Sequence, residues 1–323
     1  MSSPAPNPAD PEVVPPEEAP RPAAPWTGYA LAAAGAILFA SKGVIIKFAY
    51  AEGLDTETLL ALRMALSVPI YLAVGLAGVA RTGWPAALTG RELAVIAGVG
   101  ALGYWFASYM DFLGLVYVSA PFERLILFTY PLFTVLLGAA FFGQPFRMSA
   151  LAAFAVSYAG LALVFVQDVQ VAGFEATRTG TLLVLASAVA FALYQLLAKG
   201  PIGRVGPKLF TCVAMSAAGV VAIGQFLLIR DVALLGGLSA RAWVICLVLA
   251  TVGTAAPSFL LSAALSRISA QANATIGTVS PIATLILAAI LLGESVSLVD
   301  VAGAALVLAG VGWFTLAERR ERA

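Results

Sequence analysis

Six ionisable side chains lie inside apolar runs in the first half of the chain: Lys42, Lys47, Arg63, Asp111, Glu123 and Arg124. A Lys, Arg or Asp at the centre of a membrane helix costs roughly 2.5–3.5 kcal/mol on insertion scales. Residues held at that cost are functional candidates unless they serve to pair with one another. At about 1.5 Å of rise per residue, Lys42, Arg63, Asp111, Glu123 and Arg124 fall roughly 8–12 Å below one membrane surface. They sit on four successive predicted helices and share one level. Lys47 lies nearer the interface, where a lysine stem can snorkel. Two readings stay open. In the first, ion pairs (Lys42 or Arg63 with Asp111, Glu123 with a neighbouring cation) tie helices 1 to 4 together. In the second, the surplus of cations over acids meets an anionic small molecule at Lys42, Arg63 or Arg124, since a guanidinium suits capture of a carboxylate. Asp111 and Glu123 are the buried carboxyl groups placed to carry a proton.

Aromatic and polar side chains surround this level. Tyr104, Ser108 and Asp111 are spaced i, i+4, i+7 and share a helix face. Trp105 and Tyr109 lie on the adjoining stripe, Tyr130 precedes Pro131, and Tyr194 and Gln195 follow Phe191. All are candidates for lining a small-molecule site; ordinary packing or interface anchoring is the alternative. Pro131 and Pro281 fall mid-helix in predicted helices 4 and 9, where each removes a backbone bond and bends the helix. They are hinge candidates, or static bends; Pro69 and Pro257 can act likewise.

Other chemistry is thinly represented. The chain has no histidine, which removes the commonest general base and metal ligand. Cys212 and Cys246 each sit in an apolar run, so neither a disulfide framework nor a metal site is expected. No cofactor is expected, and without a nucleophile–base pair the chain does not read as an enzyme. A net charge of +1 gives no basic patch for nucleic acid. Gly98-Val-Gly100-Ala-Leu-Gly103 spells GxGxxG, but a dinucleotide fingerprint needs a strand before it. Inside an apolar helix, such glycines serve close helix packing instead.

The elements that position these residues follow from hydropathy. Of 323 residues, 61% are hydrophobic and only 11% charged, against about 25% charged in soluble domains. Runs of roughly 20 apolar residues mark membrane helices. They fall near 27–49, 57–79, 91–113, 119–141, 148–167, 179–199, 207–229, 241–264, 271–292 and 298–317. The expected fold is an all-α membrane protein of about ten transmembrane helices. Residues 1–25 hold nine of the eighteen prolines and four acids; they read as a disordered Pro-rich tail. Residues 318–323 form a short basic tail. With the amino terminus inside, eleven Lys and Arg fall on the cytoplasmic side and three (Arg178, Arg230, Arg241) on the other. The positive-inside rule then places both termini in the cytoplasm of a multi-pass inner-membrane protein.

The chain repeats itself. Gly28, Phe39, Ala40 and Lys47 recur as Gly180, Phe191, Ala192 and Lys199, a shift of 152. Gly103, Ser119–Ala120, Pro131, Gly143 and Gly160 recur as Gly253, Ser269–Ala270, Pro281, Gly293 and Gly310, a shift of 150. Two five-helix repeats, 26–167 and 179–317, are therefore expected. An odd number of helices per repeat inverts the second relative to the first, an arrangement common in secondary transporters.

The run from Ser119 through Pro131 to FFGQ (141–144) and Gly160 resembles an EamA repeat. So does the run from Ser269–Ala270 through Pro281 to LLGE (291–294), Gly303 and Gly310. The chain is similar to the drug/metabolite transporter superfamily over everything after the tail. Gln144 stands where the family motif has the acid present at Glu294. The resemblance implies a secondary transporter with a substrate between its halves, working by alternating access in the lipid bilayer, with export as the favoured direction. The cation surplus favours an amino acid or another acidic or zwitterionic compound. A carrier of neutral or cationic compounds, and a non-transporting sensor or scaffold, are the alternatives. A homodimer is compatible with the sequence.

Overall fold

The computed structural model describes residues 25–143, 148–265, 267–268, 276–277 and 279–320. The Pro-rich tail, Gln144, Ser269 and Ala270 lie outside them. Every regular element among the described residues is helical. Eight helices are long and apolar enough to cross a membrane, and two shorter apolar ones follow. They are α1 (Pro25–Ala51), α2 (Thr56–Thr82), α3 (Gly90–Tyr117), α4 (Ala120–Phe141), α5 (Met148–Ala172), α6 (Phe174–Val205) and α7 (Pro207–Ile229). Then come α8 (Ala240–Ala250, a wide turn at Thr251–Ala255, and Ala256–Leu265), α9 (Val279–Leu292) and α10 (Leu298–Arg320).

Several boundaries differ from the hydropathy reading for local reasons. α6 runs well beyond 179–199 at both ends, because Gly173 and Gly206 alone connect it to α5 and α7. α4 is interrupted at Phe128–Thr129, immediately before Tyr130-Pro131 opens its second segment. That is the break a mid-helix proline should cause. Pro281 lies in the helical segment Val279–Leu287, and Ile276 and Gly277 before it are helical as well. α3 and α8 each widen by a turn, at Ala101–Phe106 and Thr251–Ala255. Such turns re-aim the side chains that follow and often mark functional positions.

These two wide turns stand 150 residues apart, and other features keep the same register. α4 and α9 both run into a left-handed glycine, Gly143 (φ 63°) and Gly293 (φ 68°), at the same offset. Residues with a Cβ rarely adopt that conformation. The packing obeys the exchange as well: α1 lies against α8 and α9, α6 against α3 and α4, α2 against α7, and α5 against α10. Exchanging each helix with the one five later maps this list onto itself.

Small residues let the halves approach. A Cβ at Gly100 would come within 2.4 Å of the Ala214 carbonyl oxygen on α7, and one at Gly103 within 2.3 Å of the Tyr194 ring. The GxGxxG run is thus a helix-packing surface. We expect Gly100→Val to lower stability by about 1–3 kcal/mol through overpacking against α7 backbone. Thermal unfolding in detergent checks this.

Candidate functional site

For orientation, the end of the bundle holding the start of α1 is called the tail end and the opposite one the far end. The first four helices bring their charged side chains together in the interior, as their common level suggests. Lys42 Nζ on α1 lies 2.6 Å from Asp111 Oδ2 on α3. Arg63 on α2 stacks over Phe112, its guanidinium carbon 5.2 Å from the ring centroid, and Lys42 Nζ stands 5.9 Å from the same ring. A cation over an aromatic face is partly compensated for leaving water. On α4, Arg124 Nη2 donates to the Phe39 carbonyl at 2.8 Å. Glu123 is wholly buried and points at α1, where a Cβ on Gly43 would sit 3.2 Å from its Oε2. Glycine at position 43 gives that carboxyl its room, and Asp111 is its electrostatic neighbour.

Most polar atoms in a folded interior find a hydrogen-bond partner. Among the described residues, eight buried side-chain atoms have none, and six of these eight belong to this cluster. They are Arg63 Nε and Nη1, Arg124 Nε, Asp111 Oδ1, and both oxygens of Glu123. Each orphaned group costs about 1–3 kcal/mol. Unfilled donors on two guanidinium groups and unfilled acceptors on two carboxyl groups thus occur in one buried cluster. Three cations meet two acids: of the partners expected for Asp111, Lys42 or Arg63, it is Lys42 that pairs with it, while the pairing expected between Glu123 and a neighbouring cation does not form.

The aromatic candidates form a wall beside it. Tyr104 and Tyr194 share a hydrogen bond of 2.8 Å between hydroxyls. Tyr130 meets Phe191 edge-on with centroids 5.0 Å apart, and Phe191 stacks on Tyr194. Trp105 stacks on Tyr109 and donates from Nε1 to Gln225 Oε1 on α7 at 2.7 Å. Tyr109 donates to Glu57 Oε1 at 2.8 Å. Ser108 is half-buried on the same helix. Gln195 is not brought to this wall. It lies on the exposed side of α6, one residue round from buried Tyr194.

Further polar groups escaped the sequence reading. Asp168, one residue beyond the expected end of helix 5, is buried and accepts from the Ser119 backbone N–H and hydroxyl at the start of α4. Lys47 does not simply snorkel. It is half-buried, with Glu294 and Asp168 as its main electrostatic partners and Glu123 beyond them. Burial pushes the Glu294 carboxyl above the usual carboxylate range, with Lys47 as the largest opposing influence. Gln225 gave a signal that could have been used, because it is a lone polar residue in an otherwise apolar stretch, whereas Glu57 stands in the polar run Asp55-Thr56-Glu57-Thr58 and gave none.

Both ends of the bundle are tied between halves. At the tail end, Arg204 on α6 pairs with Glu92 on α3 at 2.9 Å. At the far end, Arg241 on α8 pairs with Glu52 of the α1–α2 connection at 3.2 Å. Residues 52 and 204 stand 152 apart, so these pairs occupy exchange-related places with their charges reversed. The far end has a second tie, Arg230 with Glu57 at 3.0 Å and Asp55 at 3.4 Å. A groove of about 530 Å³ between α9 and α10 is lined by Ile, Leu, Val and Ala alone, including Ile282, Ile286 and Leu308. It offers no group to recognise a polar metabolite.

The model of the EamA-like transporter family matches this chain twice, over residues 26–166 and 178–316. The chain belongs to that family. The uncharacterized transporter YcbK of Bacillus subtilis (strain 168) is 28% identical over 281 residues, covering 83% of this chain and 86% of its own. A probable terminal-alkyne amino-acid exporter of Streptantibioticus cattleyicolor is 33% identical over 269 residues, covering 79% and 83%. A solved structure superposes with a TM-score of 0.62 at 19% identity, over 92% of this chain and 98% of its own; this likeness is one of fold. This EamA protein is therefore a transporter-family, multi-pass membrane protein.

Proposed function

We propose that this EamA protein is a secondary transporter of a small zwitterion, with an amino acid as the favoured class, and that it exports by alternating access. One observation carries the substrate class: one buried cluster holds both unfilled donors, on Arg63 and Arg124, and unfilled acceptors, on Asp111 and Glu123. A carboxylate satisfies the first pair and an ammonium the second. The named function of the Streptantibioticus relative points the same way. In this reading α1–α10 are ten spans in two inverted five-helix units, 26–167 and 179–317. Both termini and the tail end face the cytoplasm of the inner membrane.

Alternating access is supported by the two exchange-related ties, since a site sealed at both ends exchanges with either compartment only if they open in turn. Tyr104, Trp105, Ser108, Tyr109, Tyr130 and Tyr194 then line the substrate, and Pro131 and Pro281 are the hinges. Cys246 on α8 and Cys212 on α7 are buried reporters of the far and tail ends. We expect Glu52→Gln to raise maleimide labelling of Cys246 several-fold and Arg204→Gln to raise that of Cys212. Unchanged labelling in both variants would count against these ties as gates.

The binding claim is tested by thermal shift of the purified protein with amino acids, dicarboxylates, sugar phosphates, nucleosides and organic cations. A compound at 100 times its dissociation constant stabilises by about 2.7 kcal/mol if it binds only the folded state. Stabilisation by amino acids that Arg63→Ala and Arg124→Ala remove is the expected result. Stabilisation only by cations, unchanged in those variants, would assign the cluster to structure.

A further inference from the structure

The central carboxyl Glu123 is wholly buried, so any proton it carries must reach it through the protein. Towards the tail end it is backed by Lys42 and Asp111, already paired, and by its neighbour Arg124. Towards the far end the situation differs. Gly43 and Lys47 are one turn apart on the same face of α1. Glu123 Oε2 faces Gly43 across the gap that glycine leaves. Lys47 therefore stands one turn above Glu123, at a helix-rise distance of about 6 Å.

Beyond Lys47, two acids converge on the start of α4 from different helices. Asp168 at the end of α5 is fixed there by its two hydrogen bonds from Ser119. Glu294, just after the left-handed Gly293 that closes α9, leaves its Oε2 buried and without a partner. The charged groups facing Glu294 are Lys47 of α1, Asp168 of α5 and Asp300 of α10. Asp300 is itself occupied, accepting from Gln167 and from the Ser297 backbone and hydroxyl. Glu294 is thus the member of the group with an oxygen to spare, at the edge of the bundle. The aromatic wall lies elsewhere, on α3, α6 and the second segment of α4, and the Glu57–Arg230 tie joins α2 to the end of α7.

We infer that Glu294 and Lys47 form a proton route from the far end to Glu123, separate from the path that the aromatic wall offers the substrate. The inference rests on the proposed role of Glu123 as proton carrier. A proton taken up by Glu294 passes to the Lys47 amine, when that amine is in its neutral form, and from the resulting ammonium to the Glu123 carboxylate. Each transfer breaks one bond to hydrogen and forms another, and Asp168 holds the start of α4 in place for the exchange.

The test is infrared spectroscopy of the protein in liposomes after rapid mixing into D2O, following the carboxyl C=O band that Glu123→Gln removes. Lys47→Met and the near-isosteric Glu294→Gln are expected to slow deuteration of that band by at least about tenfold, in line with the contribution of a positioned acid–base group. Glu294→Asp should recover part of the rate, and Glu175→Gln, an exposed far-end carboxyl, should leave it unchanged. A band that deuterates at the parent rate in folded Glu294→Gln overturns the route and leaves Glu123 as carrier. If Glu123→Gln removes no band, Glu123 holds no proton, and both the carrier and the route fall.

Discussion

Glu123→Gln is expected to abolish accumulation driven by a pH gradient in proteoliposomes, while exchange of substrate for substrate continues. Glu123 has no exposed surface, and neither of its oxygens finds a donor. An ionised carboxylate in that setting costs several kcal/mol, and the ordinary remedy is to take up a proton. Its neighbour Asp111 is engaged by Lys42 at 2.6 Å, and two adjacent carboxyl groups resist ionising together. In the proposed role the pair shares one proton, which an arriving ammonium group displaces. Glutamine keeps the shape and the polarity but has no proton to release, so net coupled movement stops and neutral exchange does not. Asp111→Asn should have the same consequence. Coupling retained in both variants would remove these residues as carriers.

Asp111→Ala has the largest expected effect on stability. Deleting one member of a buried ion pair leaves its partner uncompensated, which costs about 3–5 kcal/mol. Lys42 would lose its acceptor 2.6 Å away, and Arg63, two of whose nitrogens lack partners already, would lose the favourable influence of the Asp111 carboxylate. Three cations would then face Glu123 alone. Loss of the folded protein on size-exclusion chromatography in detergent, with recovery in the double variant Lys42→Met/Asp111→Leu, is the expected pattern. Replacing a buried pair by apolar groups of similar volume is often neutral. A single variant as stable as the parent would show that Asp111 does not balance the cluster.

The helices were legible in the sequence because their signal is local: an unbroken apolar run can satisfy its backbone in lipid only as a helix. The charged cluster was legible for a related reason. Lys42, Arg63, Asp111, Glu123 and Arg124 stand out against apolar neighbours, and the helical rise gave their common level. Local signals stop where pairing depends on three dimensions. No spacing joins Lys47 to Glu294, because α1 meets the end of α9 only after the second half folds back. Asp168 was lost to a helix boundary drawn one residue short. Gln195 was included for its place beside Tyr194, though one residue along a helix turns a side chain by about 100°, here onto the exposed side.

The central claim, that the buried cluster takes a zwitterion and moves it across the membrane, is tested most directly by counterflow. Proteoliposomes preloaded with an unlabelled amino acid are diluted into the same amino acid in labelled form, one compound at a time. The account predicts saturable, transient uptake for at least one amino acid, retained in Glu123→Gln and lost in Arg63→Ala and Arg124→Ala. Absence of uptake for every amino acid, or uptake unaffected by the loss of both guanidinium groups in folded protein, would contradict it.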